Sequence, residues 1–166
     1  MTSSTRYYYL AYATGSGGSS GYSNTANATT AVGGADTYEP DGEYTSARSI
    51  TVNGAAQARS FHAAGDEDWG KFTAVAGRSY MITTANLGAS NDTYLYLYGT
   101  TGVNVLDEDD DDGVGLASQI LWTAPASGVY YVRVRQYWSY GGCAGYEYAL
   151  AVGELRHVYL PLIARP

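Results

Sequence analysis

Residues Asp92 to Gly99 read DTYLYLYG. Side chains alternate between two faces along an extended backbone, so Tyr94, Tyr96 and Tyr98 share one face and Leu95 and Leu97 the other. A short β-favouring run between Asp and Gly is the pattern of one strand in a series separated by turns. The pattern recurs in both directions along the chain. GVYYVRVRQ, from Gly128, sets Tyr130, Val132 and Val134 against Arg133 and Arg135, and YEYALAV puts Tyr146, Tyr148, Leu150 and Val152 on one face. SYMITTANL, from Ser79, follows an AGR turn at Ala76 to Arg78. No stretch keeps a 3.6-residue period. These runs predict an all-β fold: an antiparallel β-sandwich, jelly-roll-like, whose sheets each have one wet face.

Composition agrees. The 166 residues suit one domain with extra segments, and 21 Gly with 18 Tyr against 2 Phe point away from helices. The net charge of −7 and pI near 4.6 argue against nucleic acid and anionic membrane surfaces as partners. No apolar run approaches the roughly 20 residues of a transmembrane helix, so membrane insertion is not expected. Cys143 is the one cysteine, which excludes an internal disulfide framework.

Four segments follow from the patterning. Residues 1–13 form a strand arm around TRYYYLAYA, with Tyr8, Leu10 and Tyr12 on one face and Tyr7, Tyr9 and Ala11 on the other. Residues 14–37 have the Gly/Ser/Thr-rich composition of a flexible linker. The sandwich occupies 38–153. An apolar tail, 154–166, forms a short C-terminal strand confined to a sheet edge by Pro161. MTSSTRYYYLAYATG shows one Arg and no apolar h-region, so no export signal is visible in this numbering.

Charge is concentrated in one place. Asp107 to Asp112 are six acids in a row; without them the balance is 10 acids against 9 bases. A hard cation of the calcium type takes six to eight oxygens, and an acidic loop supplies them. The register is nearly that of an EF-hand, with Glu108, Asp110, Asp112 and Gly113 at its first, third, fifth and sixth positions. It fails at the twelfth, which is Gln119, and no helix flanks it. The reading is therefore a β-loop cation site, with a solvated acidic turn as the competing account.

The order and spacing of six motifs carry a family resemblance: YEPDGEYTSA at Tyr38, GDEDWGKF at Gly65, AGRSY at Ala76, NDTYLYLYGTTG at Asn91, LDEDDDDGVGLASQI at Leu106 and APASGVYYVRV at Ala124. The chain resembles the bacterial pre-peptidase C-terminal domains, calcium-associated β-sandwiches appended to secreted proteases and other exported proteins. The resemblance implies an extracellular location, Ca2+ as cofactor and two cation clusters. One would gather Glu39, Asp41, Asp66 and Asp68; the other Asp92, Asp109, Asp110 and Asp111. Turn capping through Asx hydrogen bonds is the alternative for Asp66 and Asp68.

No GxSxG, HExxH, P-loop or CxxC motif occurs, so the chain reads as a non-enzyme. His62 and His157 read as ordinary surface or strand residues, Cys143 as an inert thiol, and Trp69 and Trp122 as core. Asn27 and Asn91 stand in formal glycosylation sequons. Trp138, in RQYWSYGG, reads as an exposed partner contact. Two functions compete. One is a structural module that forms a homo-oligomer or fibre of identical subunits by strand addition, through Tyr7, Tyr8, Tyr9, Leu10 and Tyr12, braced by Leu160 and Leu162 of the tail. The other is an accessory module that holds a secreted hydrolase to a polysaccharide or protein ligand. The arm folding back on its own domain is the competing account for residues 1–13.

Overall fold

The computed structural model describes residues 34–138 and 144–155, and the backbone of four short strands before them. Those four are β1 (Arg6–Tyr9), β2 (Thr14–Gly15), β3 (Gly18–Ser19) and β4 (Ala26–Thr29). Nine strands follow: β5 (Arg48–Ser49), β6 (Gln57–Ser60), β7 (Glu67–Ala74), β8 (Ser79–Ala85), β9 (Thr93–Tyr98), β10 (Val105–Asp109), β11 (Gln119–Thr123), β12 (Gly128–Gln136) and β13 (Glu147–Leu155). Among the described residues the only helical element is a 3-10 turn, Tyr44–Ser46. No helix among them is long and apolar enough to cross a membrane.

The nine strands make a β-sandwich. One sheet runs β10-β9-β12-β7-β5 and the other β11-β8-β13-β6. All pairings are antiparallel except β5 with β7. Only β9 and β10 are consecutive neighbours in one sheet; the chain otherwise crosses from sheet to sheet, which distributes motif residues over both ends of the sandwich.

The period-two reading places the core. Leu95, Leu97, Val132, Val134, Phe72 and Tyr130 from the first sheet meet Tyr80, Ile82, Ile120, Tyr148, Leu150 and Val152 from the second, all buried. Trp122 is half-buried against this cluster. Trp69 is buried elsewhere. Its Cα pairs with that of Arg133 on the outer face of the first sheet, where it packs with Ala47 and Tyr98. The reason is parity: Asp68 and Trp69 are adjacent in β7 and face opposite ways, and the acid takes the inward position.

β7 also carries a close approach. A Cβ on Gly70 would stand 2.5 Å from Ile50 Cδ1 and 3.2 Å from Ile50 Cγ1. Gly70→Ala is expected to destabilise by about 1–3 kcal/mol, the usual range for overpacking. A urea midpoint equal to the wild type would contradict this reading.

The N-terminal third differs from a strand followed by a structureless linker. Tyr7 and Tyr8 of β1 pair with Ala28 and Asn27 of β4, in a two-stranded sheet of their own, and β2 pairs with β3. A Tyr-rich strand has a ladder of donors and acceptors to satisfy, and the ANAT segment supplies it from within the chain. The segment boundaries shift too. The backbone N–H groups of Ser60 and Tyr38 both donate to the Asp36 carboxylate, at 2.7 Å each, so the sandwich begins before residue 38. At the other end β13 runs through Leu155. Tyr7, Tyr8 and Tyr9 lie in β1, where only backbone is described. Leu10, Tyr12, Cys143, His157, Leu160, Pro161 and Leu162 lie outside the described residues.

Candidate functional site

β7 begins at one end of the sandwich with acids. Asp68 follows the inward phase of Phe72 and Gly70, so alternation alone drives a carboxylate into the core, where it is fully buried. Tyr148 of β13 donates its hydroxyl to Asp68 Oδ2. Against this end lies the lead-in segment, residues 36–41. The Trp69 N–H donates to the Asp41 carbonyl at 3.0 Å, and the Asp41 N–H donates to Glu39 Oε2 at 3.1 Å. Arg48 donates to the carbonyls of Tyr38 and Pro40. These bonds bring Glu39 and Asp41 over Asp68.

Arg59 of β6 is the buried counter-charge. It pairs through Nη1 with Asp41 Oδ2, donates to Gln57 Oε1 from Nε at 3.1 Å and from Nη2 at 2.7 Å, and lies 4.7 Å from the centre of the Tyr38 ring. One guanidinium does not balance the acids around it. Asp41 Oδ1 and Asp68 Oδ1 are buried with no hydrogen-bond partner among the described residues. Burial pushes the Asp68 carboxyl up to about 8 despite the Tyr148 hydroxyl, and burial pushes Asp41 up to about 6 against the pull of Arg59.

The loop from β6 to β7 adds two more groups. His62 Nδ1 stands 2.8 Å from Glu39 Oε1 and 2.6 Å from Asp66 Oδ2. Ligand atoms of Glu39, Asp41 and Asp68 lie within 4.8 Å of one another, as do those of Glu39, His62 and Asp66. All four acids expected in the first cluster therefore meet at one end of the sandwich. His62 meets them too, so it is not an ordinary surface residue. Its signal was present: it stands four residues before Asp66 in FHAAGDED. Tyr148 reads only as one face of the YEYALAV strand, and Arg59 of β6 carries no motif at all.

The second acidic cluster forms at the β10–β11 loop. Ligand atoms of Asp92, Asp110 and Asp111 lie within 4.8 Å of one another, and Asp92 Oδ1 and Asp110 Oδ1 are buried and unpartnered among the described residues. Burial raises the carboxyl pKa of both; the next cause for each is the neighbouring Asp111 charge. Asp109 does not join them. Its Oδ2 accepts from the backbone N–H of Gln119 at 2.7 Å and of Asp112 at 3.2 Å, closing the loop instead.

Beside this cluster the outer face of the first sheet is aromatic. Tyr94 stacks on Tyr96 with ring centres 4.7 Å apart and on Tyr137 at 6.0 Å. Arg133 lies 4.2 Å from the Tyr96 ring centre and Arg135 4.8 Å from that of Tyr94. Trp138, expected to be exposed, is 62% exposed and meets Tyr137 edge to face at 4.9 Å. The Tyr137 N–H donates to the Asp92 carbonyl at 2.8 Å, which joins the aromatic face to the acidic cluster.

Residues 66–136 match the family model described as the bacterial pre-peptidase C-terminal domain. Among solved structures, the chain is similar to the pre-peptidase C-terminal domain of a collagenase from Bacillus anthracis. The identity is 18% and the TM-score 0.50, over 64% of this chain and 93% of that one. It is also similar to PliG of Aeromonas hydrophila, a periplasmic inhibitor of g-type lysozyme, at 20% identity and a TM-score of 0.49, over 65% and 96% of the two chains. No curated protein matched the chain.

Proposed function

We propose, for a sandwich whose residues 66–136 match the model of the bacterial pre-peptidase C-terminal domain, the role of a non-catalytic extracellular module stabilised by calcium. The observation that carries this reading is the pair of buried oxygens on Asp41 and Asp68 that have no hydrogen-bond partner among the described residues. Two buried carboxylates beside one guanidinium leave uncompensated charge, which a protein interior relieves by protonation or by a bound cation. Glu39, Asp41 and Asp68 would hold calcium in the first cluster, and Asp92, Asp110 and Asp111 in the second. The bound ion supplies positive charge, and its ligands tie the lead-in segment to β7. Extracellular calcium modules work at roughly 10⁻⁴–10⁻³ M, so a site of a few carboxylates completed by water is sufficient.

The aromatic outer face supports a holding role toward a polysaccharide or protein. Stacked Tyr94, Tyr96 and Tyr137 with exposed Trp138 make a rigid surface rich in the residue types that anchor partners. Trp138→Ala is expected to weaken retention on the insoluble partner by at least about 1 kcal/mol, or several-fold. Retention of the variant on cellulose, chitin and fibrous collagen equal to that of the wild type would remove this face from the account.

Self-assembly by strand addition is the second reading, and the separate β1–β4 ribbon favours it. A two-stranded ribbon is marginal alone, and a further strand added to it would supply the hydrogen bonds and packing it lacks. Light scattering on a chain lacking residues 1–33 separates the two roles. Loss of a large wild-type particle to a monomer supports assembly, whereas equal sizes leave the module as a binding domain.

A further inference from the structure

The groups that meet at the β7 end of the sandwich are of two chemistries. Glu39, Asp41 and Asp68 offer carboxylate oxygen alone, while Glu39, His62 and Asp66 add an imidazole nitrogen, and Glu39 belongs to both sets. The mixed set is held firmly. The His62 backbone N–H donates to Asp66 Oδ2 at 2.7 Å, the same oxygen that faces its Nδ1, and the loop between them is closed by the Asp66 N–H donating to the Ala63 carbonyl at 3.2 Å.

Calcium selects oxygen donors, whereas borderline first-row cations take imidazole and carboxylate together. We propose that Glu39, His62 and Asp66 form a zinc-type site beside the all-oxygen site and sharing Glu39 with it. The buried oxygens of Asp41 and Asp68 next to it, without a hydrogen-bond partner among the described residues, are an independent sign that this end of the fold is short of positive charge. Access is also right: the imidazole is 34% exposed, while the Glu39 and Asp66 side chains are 12% and 8% exposed. An ion can arrive past the ring, and water can fill a fourth position. Zinc holds nitrogen and oxygen at about 2.0–2.2 Å, which sets tetrahedral donor separations of roughly 3.4 Å. The present separations, 2.8 and 2.6 Å, are those of hydrogen bonds. The three donors therefore spread by somewhat over half an ångström, by about that geometry, as the ion seats between them.

The site extends the calcium reading without depending on it. The test strips the full chain with EDTA, removes the chelator, and titrates zinc in competition with a chromophoric chelator, with and without excess calcium. His62→Gln keeps a polar side chain but loses the imidazole. It is expected to weaken zinc binding by more than about a hundredfold, beyond the roughly 10–100-fold of outer-sphere partners. The same variant should keep its calcium-dependent rise in melting temperature, with near-UV circular dichroism reporting intact packing of its tyrosines. Asp68→Asn should do the reverse. Zinc binding that survives while calcium has no effect would sink the calcium reading and leave this one. Equal zinc affinity in wild type and His62→Gln, or no zinc binding at all, overturns the proposal.

Discussion

Chelation is expected to lower the melting temperature near neutral pH by on the order of 10 °C, and the effect should grow with pH. An ion bound only by the native state adds about 2.7 kcal/mol at a hundredfold excess over its Kd, and for a domain of this size each kcal/mol moves the midpoint by about 3–5 °C. The pH dependence follows from the buried acids. Asp68 is pushed up to about 8 and Asp41 to about 6, both above the ordinary value of 3.8. A carboxyl whose folded pKa is raised contributes stability that is complete below its unfolded pKa and is lost as pH climbs through the folded one. Metal-free protein should therefore weaken between about pH 4 and pH 8. Cation binding needs the same groups deprotonated, so it strengthens over the same window. The gap between melts in calcium and in EDTA should be small near pH 4 and widest near pH 8. A constant gap would separate the cation from these carboxyls, and superimposed melts at every pH would remove the cation.

The second large effect concerns Arg59. Its side chain and that of Asp41 are both fully buried, and removing one partner of such a pair leaves the other charge uncompensated. Arg59→Met is expected to destabilise the chelated protein by roughly 3–5 kcal/mol. Asp41→Asn in the same chain should recover much of that loss, because the charge that needed Arg59 is then absent. Calcium should also reduce the loss, since the ion supplies positive charge to the same carboxylates. Urea unfolding of the two single variants and the double variant, with and without calcium, gives all of these terms. Strictly additive losses that calcium does not change would mean that Arg59 stabilises the fold independently of the acidic site.

How much of this was legible in the sequence depended on whether a residue's environment is set by its own strand. Leu95, Leu97, Val132 and Val134 are buried because alternation puts them inward, and alternation is visible in one sequence. Asp68 obeys the same rule, which is why a motif acid sits in a core. Trp69, read as core, is buried as expected, but in the smaller cluster on the outer face with Ala47 and Tyr98, because the parity of Asp68 takes the inward position. Arg59 was hidden because its burial is made by Asp41, which arrives from a segment with no periodicity of its own. His62 was half legible: its spacing to Asp66 is visible in the sequence, whereas Glu39 reaches it only when the lead-in segment folds over β7. Asp109 shows the limit from the other side. A run of six acids carries no phase, so the sequence cannot say which carboxylates point at Asp92 and which one caps the loop at Gln119. The Gly/Ser/Thr composition after the arm concealed β2, β3 and β4, whose partners lie within the same stretch or in β1.

The central claim is that the buried oxygens of Asp41 and Asp68 are cation ligands, and calorimetric titration of calcium into EDTA-stripped protein at pH 7.5 (roughly the upper part of the window set by those carboxyls) tests it most directly. Binding in the wild type at sub-millimolar to millimolar calcium, with one class of sites abolished in the Asp41→Asn, Asp68→Asn double variant, is the result this account predicts. No calcium heat in the wild type, or an identical titration in the double variant, would contradict it.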